Sequence, residues 1–326
     1  GPRCEALSRE WRQWLEGVPA VLDLVPFRRD QGPGRRVQRA LSVELLTALR
    51  ALAGAERKTL FTVLAAAWGA VLGWSSGRER LLLGLAVAHR ELPEVERVLG
   101  FFVNSVALRI DLEGEPTFRA LLDRVARATS VALELQALPF EQVVAALAPA
   151  RNPDRSPLVQ VHFAHHPVGS LGVLALRDCT VSGRELDTAP VKFELTLKVE
   201  ETADGGGRVW AEFHEGRFPP GFVETLLATY EGVLRAAAPE VPVARLMPAR
   251  TGTERSLARL FAEVLGVEEL GPHDDFFQRG GHSLLLLEVV ARVRSELARD
   301  LSLRDLLELP TVAGVAARLD RAGALR

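Results

Sequence analysis

Lysine is nearly missing: Lys58, Lys192 and Lys198 are the only three in a chain of 326 residues with 40 basic side chains. Few amines are therefore left for Schiff-base or phosphate-loop chemistry, and no GxxxxGK[ST] segment exists to use them. Cysteine is as scarce. Cys4 and Cys179 lie far apart with no CxxC or Cys/His spacing, which excludes a disulfide scaffold and a zinc site and fits a reducing cytosol. No run of 18 apolar residues occurs, and Gly1-Pro2-Arg3-Cys4-Glu5 lacks the basic-then-apolar order of a signal peptide, so a cytoplasmic chain with no membrane partner is expected. Charge of one sign is lacking too: 40 basic residues against 42 acidic leave a net −2, which gives no pull toward nucleic acid. What is present is ordinary globular material, 48% hydrophobic and 25% charged, enough for roughly two domains.

Trp11, Trp14 and Leu15 fall at helical spacing, so a short helix is expected over Ser8 to Leu15, closed by Gly17 and Pro19. Residues 26–36 mix Pro, Gly and charge and read as an exposed loop, with regular structure resuming at Val37. Ser42 is a plausible cap for a helix through Leu52. Thr59 to Leu72 is apolar all round, which predicts a buried helix. Leu81 to Val87 reads as a strand covered on both faces and Val103 to Ile110 as another, with a charged loop over Glu91 to Glu96 between them. Helices follow over Phe118 to Leu135 and Glu141 to Leu147. Leu158 to Phe163, Phe193 to Val199 and Val209 to Phe213 are expected strands, the last two joined as a hairpin by Asp204-Gly205-Gly206-Gly207, and Phe222 to Ala237 a closing helix. Strands interleaved with helices argue for one layered α/β domain.

Pro239, Pro242, Pro248 and Gly252 mark a linker region. Beyond it four helical stretches, Glu254–Leu265, Leu284–Leu297, Leu303–Leu307 and Val312–Asp320, predict a small all-α bundle. In the second, Leu286 or Leu287, Val290, Val293 and Leu297 are expected to share a face. Between the first two lies Asp274-Asp275-Phe276-Phe277-Gln278-Arg279-Gly280-Gly281-His282-Ser283-Leu284, which puts a serine at the first turn of an apolar helix. Free backbone N–H groups and the positive end of the helix dipole suit a phosphate ester there. The glycines are read as leaving room for a modifying enzyme. The plain alternative is that Ser283 is only a helix cap.

The whole stretch resembles the carrier-protein domain of non-ribosomal peptide synthetases, whose pattern is DxFFxxGGxS[LI]. That resemblance implies covalent 4′-phosphopantetheine on Ser283, added by a phosphopantetheinyl transferase, and a thioester-bound aminoacyl or peptidyl group on the arm. It makes Asp275, Phe276 and Phe277 structural and gives Gly280, Gly281 and His282 the shaping of the loop.

Three upstream stretches are similar to the carboxy-terminal half of the condensation domain of the same synthetases: Leu99-Gly100-Phe101-Phe102-Val103-Asn104-Ser105-Val106-Ala107-Leu108-Arg109, Gln136 to Val144 with Ala137 in place of an acidic residue, and Arg151 to Val161. Gly84 to Arg90 stands where the family has GTPVAGR. The resemblance implies an α/β fold: a chloramphenicol-acetyltransferase-like layered lobe over residues 1–246, a linker over 247–253, and a four-helix carrier bundle over 254–326. It implies that the amino-terminal lobe, which bears the general-base motif HHxxxDG, is absent from this chain, so that amide formation needs that lobe supplied. It places a floor loop around Arg90 to Asn104, gives Asn104 and Arg109 supporting roles, and leaves no catalytic or metal-binding residue here; Phe101 and Phe102 are expected in the core.

His165-His166-Pro167-Val168-Gly169-Ser170-Leu171 has Ser170 and Leu171 where that motif needs Asp and Gly. A self-sufficient acyltransferase using His165 or His166 is one alternative; an inactive recruitment platform with its carrier is another. No adenylation domain intervenes, so one is expected to act in trans or to have been deleted, with other synthetase modules as further partners. Gly1-Pro2 fits a protease remnant.

Overall fold

The computed structural model describes residues 1–24, 32–90, 92–147, 155–168, 178, 191–218, 221–248, 252–267, 270 and 274–323. It divides into two compact units, Gly1–Glu240 and Val241–Arg326. Cys179, residues 26–31, Glu91, Arg151 to Asp154, Gly169 to Leu171 and residues 249–251, on all of which sequence expectations fell, lie outside the described residues.

The first unit runs α1 (Pro2–Trp14), β1 (Gly34–Leu41), α2 (Val43–Ala55), α3 (Leu60–Ser76), β2 (Arg80–Val87), β3 (Asn104–Asp111), α4 (Phe118–Glu134), α5 (Phe140–Leu147), β4 (Val161–His166), β5 (Leu195–Glu201), β6 (Gly207–His214) and α6 (Phe222–Ala236). The strands form one mixed sheet in the order β1-β6-β5-β4-β2-β3. β4 is parallel to both its neighbours, and the other pairs are antiparallel.

α3 is the centre of the helical layer. Val63 to Ala67, Trp68, Val71 and Leu72 are all buried, as an apolar circumference requires. Thr59 caps it by accepting from the Thr62 amide at 3.2 Å, and Gly77 ends it at φ 68°. A Cβ at Gly69 would stand 2.8 Å from Ile110 of β3, so glycine there lets α3 lie close on the sheet. Trp68 meets Tyr230 of α6 edge-on at 5.5 Å, and the Tyr230 hydroxyl donates to the Leu64 carbonyl. α4 buries Leu121, Leu122, Val125, Ala128 and Ala132, as the periodicity predicts.

Three expectations need correction. Regular structure begins at Gly34, three residues earlier than Val37, because β1 is an edge strand whose charges have partners across the ladder: Arg36 pairs with Glu212 of β6, and Arg35 with Glu215 just beyond it. β4 starts at Val161 and not at Leu158, which takes φ 62° and turns the chain. The first helix reaches back from Ser8 to Pro2. The β5–β6 hairpin has the expected turn, with Gly205 at φ 89° and the Asp204 carboxylate accepting from the Gly206 amide at 3.1 Å.

The second unit holds α7 (Gly252–Leu265), α8 (Ser283–Leu297), α9 (Leu303–Glu308) and α10 (Val312–Gly323). Leu257, Leu260, Phe261, Phe276, Leu286, Val289, Val293, Leu306, Val312 and Val315 make its core. On α8 the buried row is Leu286, Val289 and Val293, while Leu287 is exposed and Val290 and Leu297 only flank the core. The i, i+3, i+7 row won over the i, i+4 choice made from sequence. No single helix among the described residues is long and apolar enough to cross a membrane.

Candidate functional site

Ser283 is the first residue of α8 and is exposed to solvent. The cap position belongs to His282, in extended backbone with no side-chain capping bond, so Ser283 is not the helix cap. Its Oγ has no hydrogen-bond partner among the described residues. A solvent-facing hydroxyl therefore stands at the end of a 15-residue helix where the free amides and the dipole favour an anion.

The loop before it is fixed from within. Asp275 Oδ1 accepts from the amides of Phe277 at 2.8 Å and Gln278 at 3.1 Å, an Asx turn that starts the loop. The backbone of Phe276 donates to Pro310 at 2.8 Å, and Asp275 bridges to Thr311, which ties the loop to the start of α10. The Phe276 ring is wholly buried, edge-on to Phe261 of α7 at 5.3 Å. Gly280 takes φ 99°, a conformation glycine alone adopts without strain, and nothing lies within 4 Å of where its Cβ would be.

Gly281 is different, and here the sequence reading is corrected. A Cβ on it would overlap the Phe276 ring and stand 2.6 Å from the Phe276 carbonyl, so its glycine serves internal packing and not the approach of an enzyme. These residues fit a phosphopantetheine attachment point: an exposed, uncommitted hydroxyl on a rigid loop with open space beside Gly280.

In the larger unit the motif residues act as supports. Asn104 uses all of its amide: Nδ2 donates to the carbonyls of Gln136 at 2.8 Å and Leu138 at 2.9 Å, while Oδ1 accepts from the amides of Ser105 and Phe140. It thereby joins two of the three similar stretches. Arg109 donates to the Trp14 carbonyl at 2.9 Å and to Asp111 at 3.2 Å. Within the third stretch Arg155 clamps Glu194 and Asp23, and Gln160 bonds Ala20, Leu22 and Ser156.

Phe101 and Phe102 are not core residues, contrary to expectation. Phe101 is 93% exposed, and Phe102 lies 4.3 Å beneath the Arg90 guanidinium. Arg90 also donates to the carbonyls of Val95, Glu96 and Val98, gathering the loop around one cation while Leu92, Val98, Leu99 and Phe101 face outward. The charged sequence around Arg90 gave no hint that its partners would be carbonyls.

His165 and His166 end β4. Nε2 of His165 lies 2.9 Å from Glu201 of β5, which Arg50 of α2 shares at 2.6 Å. Burial holds the His165 imidazole below its ordinary pKa, although Glu201 pulls the other way. Burial also raises the Glu201 carboxyl, but its bonds to Arg50 and His165 outweigh that and hold it low. This is a structural ion-pair network, and sequence could not show Glu201 as the partner because it lies one strand away.

The residue missed altogether is His162. Its ring stacks on Phe193 at 3.3 Å over Gly84, where any Cβ would overlap it, and burial depresses its pKa to about 4. Because the folded value lies below the ordinary 6.5, stability is complete above that pH and is lost as pH falls toward the folded value. Between pH 7 and pH 5 this one group costs the larger unit about 2 kcal/mol. Urea unfolding at the two pH values checks this: His162→Met is expected to remove that much of the wild-type difference, and an unchanged difference would count against it.

Residues 3–255 match the family model described as Condensation domain, and residues 255–319 match Phosphopantetheine attachment site. Malpinin synthetase of Mortierella alpina is 41% identical over 211 residues, 64% of this chain and 3% of its own length. Chondramide synthase cmdD of Chondromyces crocatus is 36% identical over 192 residues, 59% of this chain and 5% of its own length. The chain thus spans a few per cent of these curated relatives. Among solved structures, a four-domain nonribosomal peptide synthetase bound to AMP and glycine superposes with TM-score 0.66 at 21% identity, covering 92% of this chain and 24% of that one. The X-domain from teicoplanin biosynthesis has TM-score 0.66 at 21% identity, over 74% of this chain and 56% of its own. The layered lobe is thus the chloramphenicol-acetyltransferase-like fold of condensation domains, and the chain belongs to the condensation-domain family of nonribosomal peptide synthetases, continuing into a phosphopantetheine attachment domain.

Proposed function

We propose that Ser283 accepts 4′-phosphopantetheine from coenzyme A and that the chain works as part of an amide-forming assembly line, with its larger unit the carboxy-terminal lobe of a condensation domain. The observation that carries this reading is the exposed, unbonded Ser283 hydroxyl at the start of α8. In the transfer, Oγ forms a bond to the phosphorus on the pantetheine side of the coenzyme A diphosphate. The bond from that phosphorus to the bridging oxygen breaks, adenosine 3′,5′-bisphosphate leaves, and the hydroxyl proton passes to a base on the transferase. When bound, the arm supplies a thiol on a flexible tether for an aminoacyl or peptidyl group.

This chain's residues hold and present. The α8 terminus stabilises the new phosphodiester charge by about 0.3–1 kcal/mol, and the Asp275 turn and Phe276 fix the loop in one conformation for recognition. Partners of this reading are a phosphopantetheinyl transferase, an adenylation domain acting from elsewhere, the amino-terminal condensation lobe with its general base, and other synthetase modules. Use of coenzyme A as donor fits a cytoplasmic protein.

Incubation of the purified chain with coenzyme A, magnesium and a broad-specificity phosphopantetheinyl transferase tests the reading. Intact mass is expected to rise by one phosphopantetheine; wild-type protein that stays unmodified would overturn the assignment.

A further inference from the structure

Asp274 sits where the attachment loop meets the chain that leads into the carrier. Its side chain is 7% exposed, yet each carboxylate oxygen faces an arginine. Arg279, in the loop that ends at Ser283, approaches Oδ2 at 3.5 Å. Arg245 approaches Oδ1 at 2.8 Å and comes from a 3₁₀ turn, Val243–Leu246, well ahead of α7.

That turn is not loose chain. Arg245 N–H donates to the Pro242 carbonyl, Met247 N–H to Ala244, and Val243, Leu246 and Met247 are buried. The compact unit that contains the carrier helices starts at Val241 and so includes it. A buried carboxylate with two guanidinium groups within ion-pair range loses part of its charge compensation when one of them is removed. Asp274 also adjoins Asp275, whose turn starts the attachment loop.

We infer that Arg245 is a positioning residue for arm attachment: through Asp274 it fastens the segment leading into the carrier to the loop that presents Ser283, so that segment and loop move as one body. The inference rests on Ser283 being the attachment point. Arg245 touches neither coenzyme A nor the reacting hydroxyl in this scheme. It acts by restricting the loop that the transferase must recognise, which is a KM effect, with the chemical step at Oγ unchanged.

The test uses the whole chain. Arg245 is 40% exposed, so its replacement leaves no hole in the core. Arg245→Ala is expected to raise the KM for the protein substrate in phosphopantetheine transfer about fivefold with kcat unchanged, the equivalent of about 1 kcal/mol. Arg245→Lys, which keeps the charge, is expected to recover most of this. Amide exchange at Arg279, Gly280 and Gly281, whose N–H groups bond within the loop, is expected to speed up by a similar factor in Arg245→Ala. Unchanged exchange with unchanged KM, or a lysine variant no better than alanine, overturns the inference. Should the alanine variant not fold, Arg245→Gln is read by the same two measurements. Wild-type protein that takes no arm at all sinks the Ser283 assignment instead, and the exchange comparison still decides whether the clamp exists.

Discussion

Ser283→Ala is expected to end phosphopantetheine transfer outright while leaving the fold as it was. The loss is complete because, in the proposed transfer, the Ser283 oxygen is the atom that bonds phosphorus. Two other serine hydroxyls of the carrier are already engaged. Ser302 is committed to a reciprocal cap with Asp305, donating to its carboxylate at 2.6 Å and accepting from its amide at 3.1 Å. Ser295 Oγ donates to the Arg292 carbonyl inside the helix. Stability stays within about 0.5 kcal/mol, since Ser283 is exposed, makes no capping bond, and alanine is the better helix former. The measurement is a time course of intact mass together with a thermal melt of both proteins. Arm addition at the wild-type rate to the alanine variant would move the acceptor elsewhere.

The features that made this site legible were chemical and local. A serine just after two glycines, with aromatics six and seven residues ahead, already described a rigid loop ending at a helix start. The four helices of the carrier and the helices of the larger unit also followed from periodicity and from the capping residues Ser42 and Thr59. What stayed hidden was set by contacts that no periodicity carries. Arg35 and Arg36 read as loop because their carboxylates stand on β6 and just after it, more than 170 positions on. Phe101 and Phe102 read as core because large apolar residues usually are, and only the carbonyl cage around Arg90 shows why one stands in solvent and the other lies under a cation. The purpose of Gly281 was misread for the same reason: its constraint is the ring of a residue five positions earlier, folded back against it. The condensation-type motifs gave the family from sequence, yet Asn104, Arg109, Arg155 and Gln160 all prove to hold loops and strands to one another. Conspicuous motifs in this lobe are fastenings, and the uncommitted hydroxyl of Ser283 lies in the other unit.

Phe276→Ala is expected to unfold the carrier while the larger unit stays folded. The ring has no exposure, packs edge-on against Phe261 and Phe277, and lies against the backbone of Gly281. Its removal leaves a cavity at the junction of α7 with the attachment loop and costs about 3–5 kcal/mol. A bundle of this size has only a few kcal/mol to lose, so the variant carrier is mostly unfolded at ordinary temperature. Because the two units have separate cores, calorimetry is expected to keep the transition of the larger one and lose that of the carrier, and arm transfer fails with it. Gly281→Ala reaches the same ring from the other side. Its Cβ forces the phenyl outward, at a cost of about 1–3 kcal/mol. If that overlap is the cause, pairing Gly281→Ala with Phe276→Leu, which frees space where the methyl enters, costs less than the sum of the two single changes. Strict additivity would show that Gly281 is held to glycine by something other than the Phe276 ring, and a carrier transition undisturbed by Phe276→Ala would show that this loop does not depend on the bundle core.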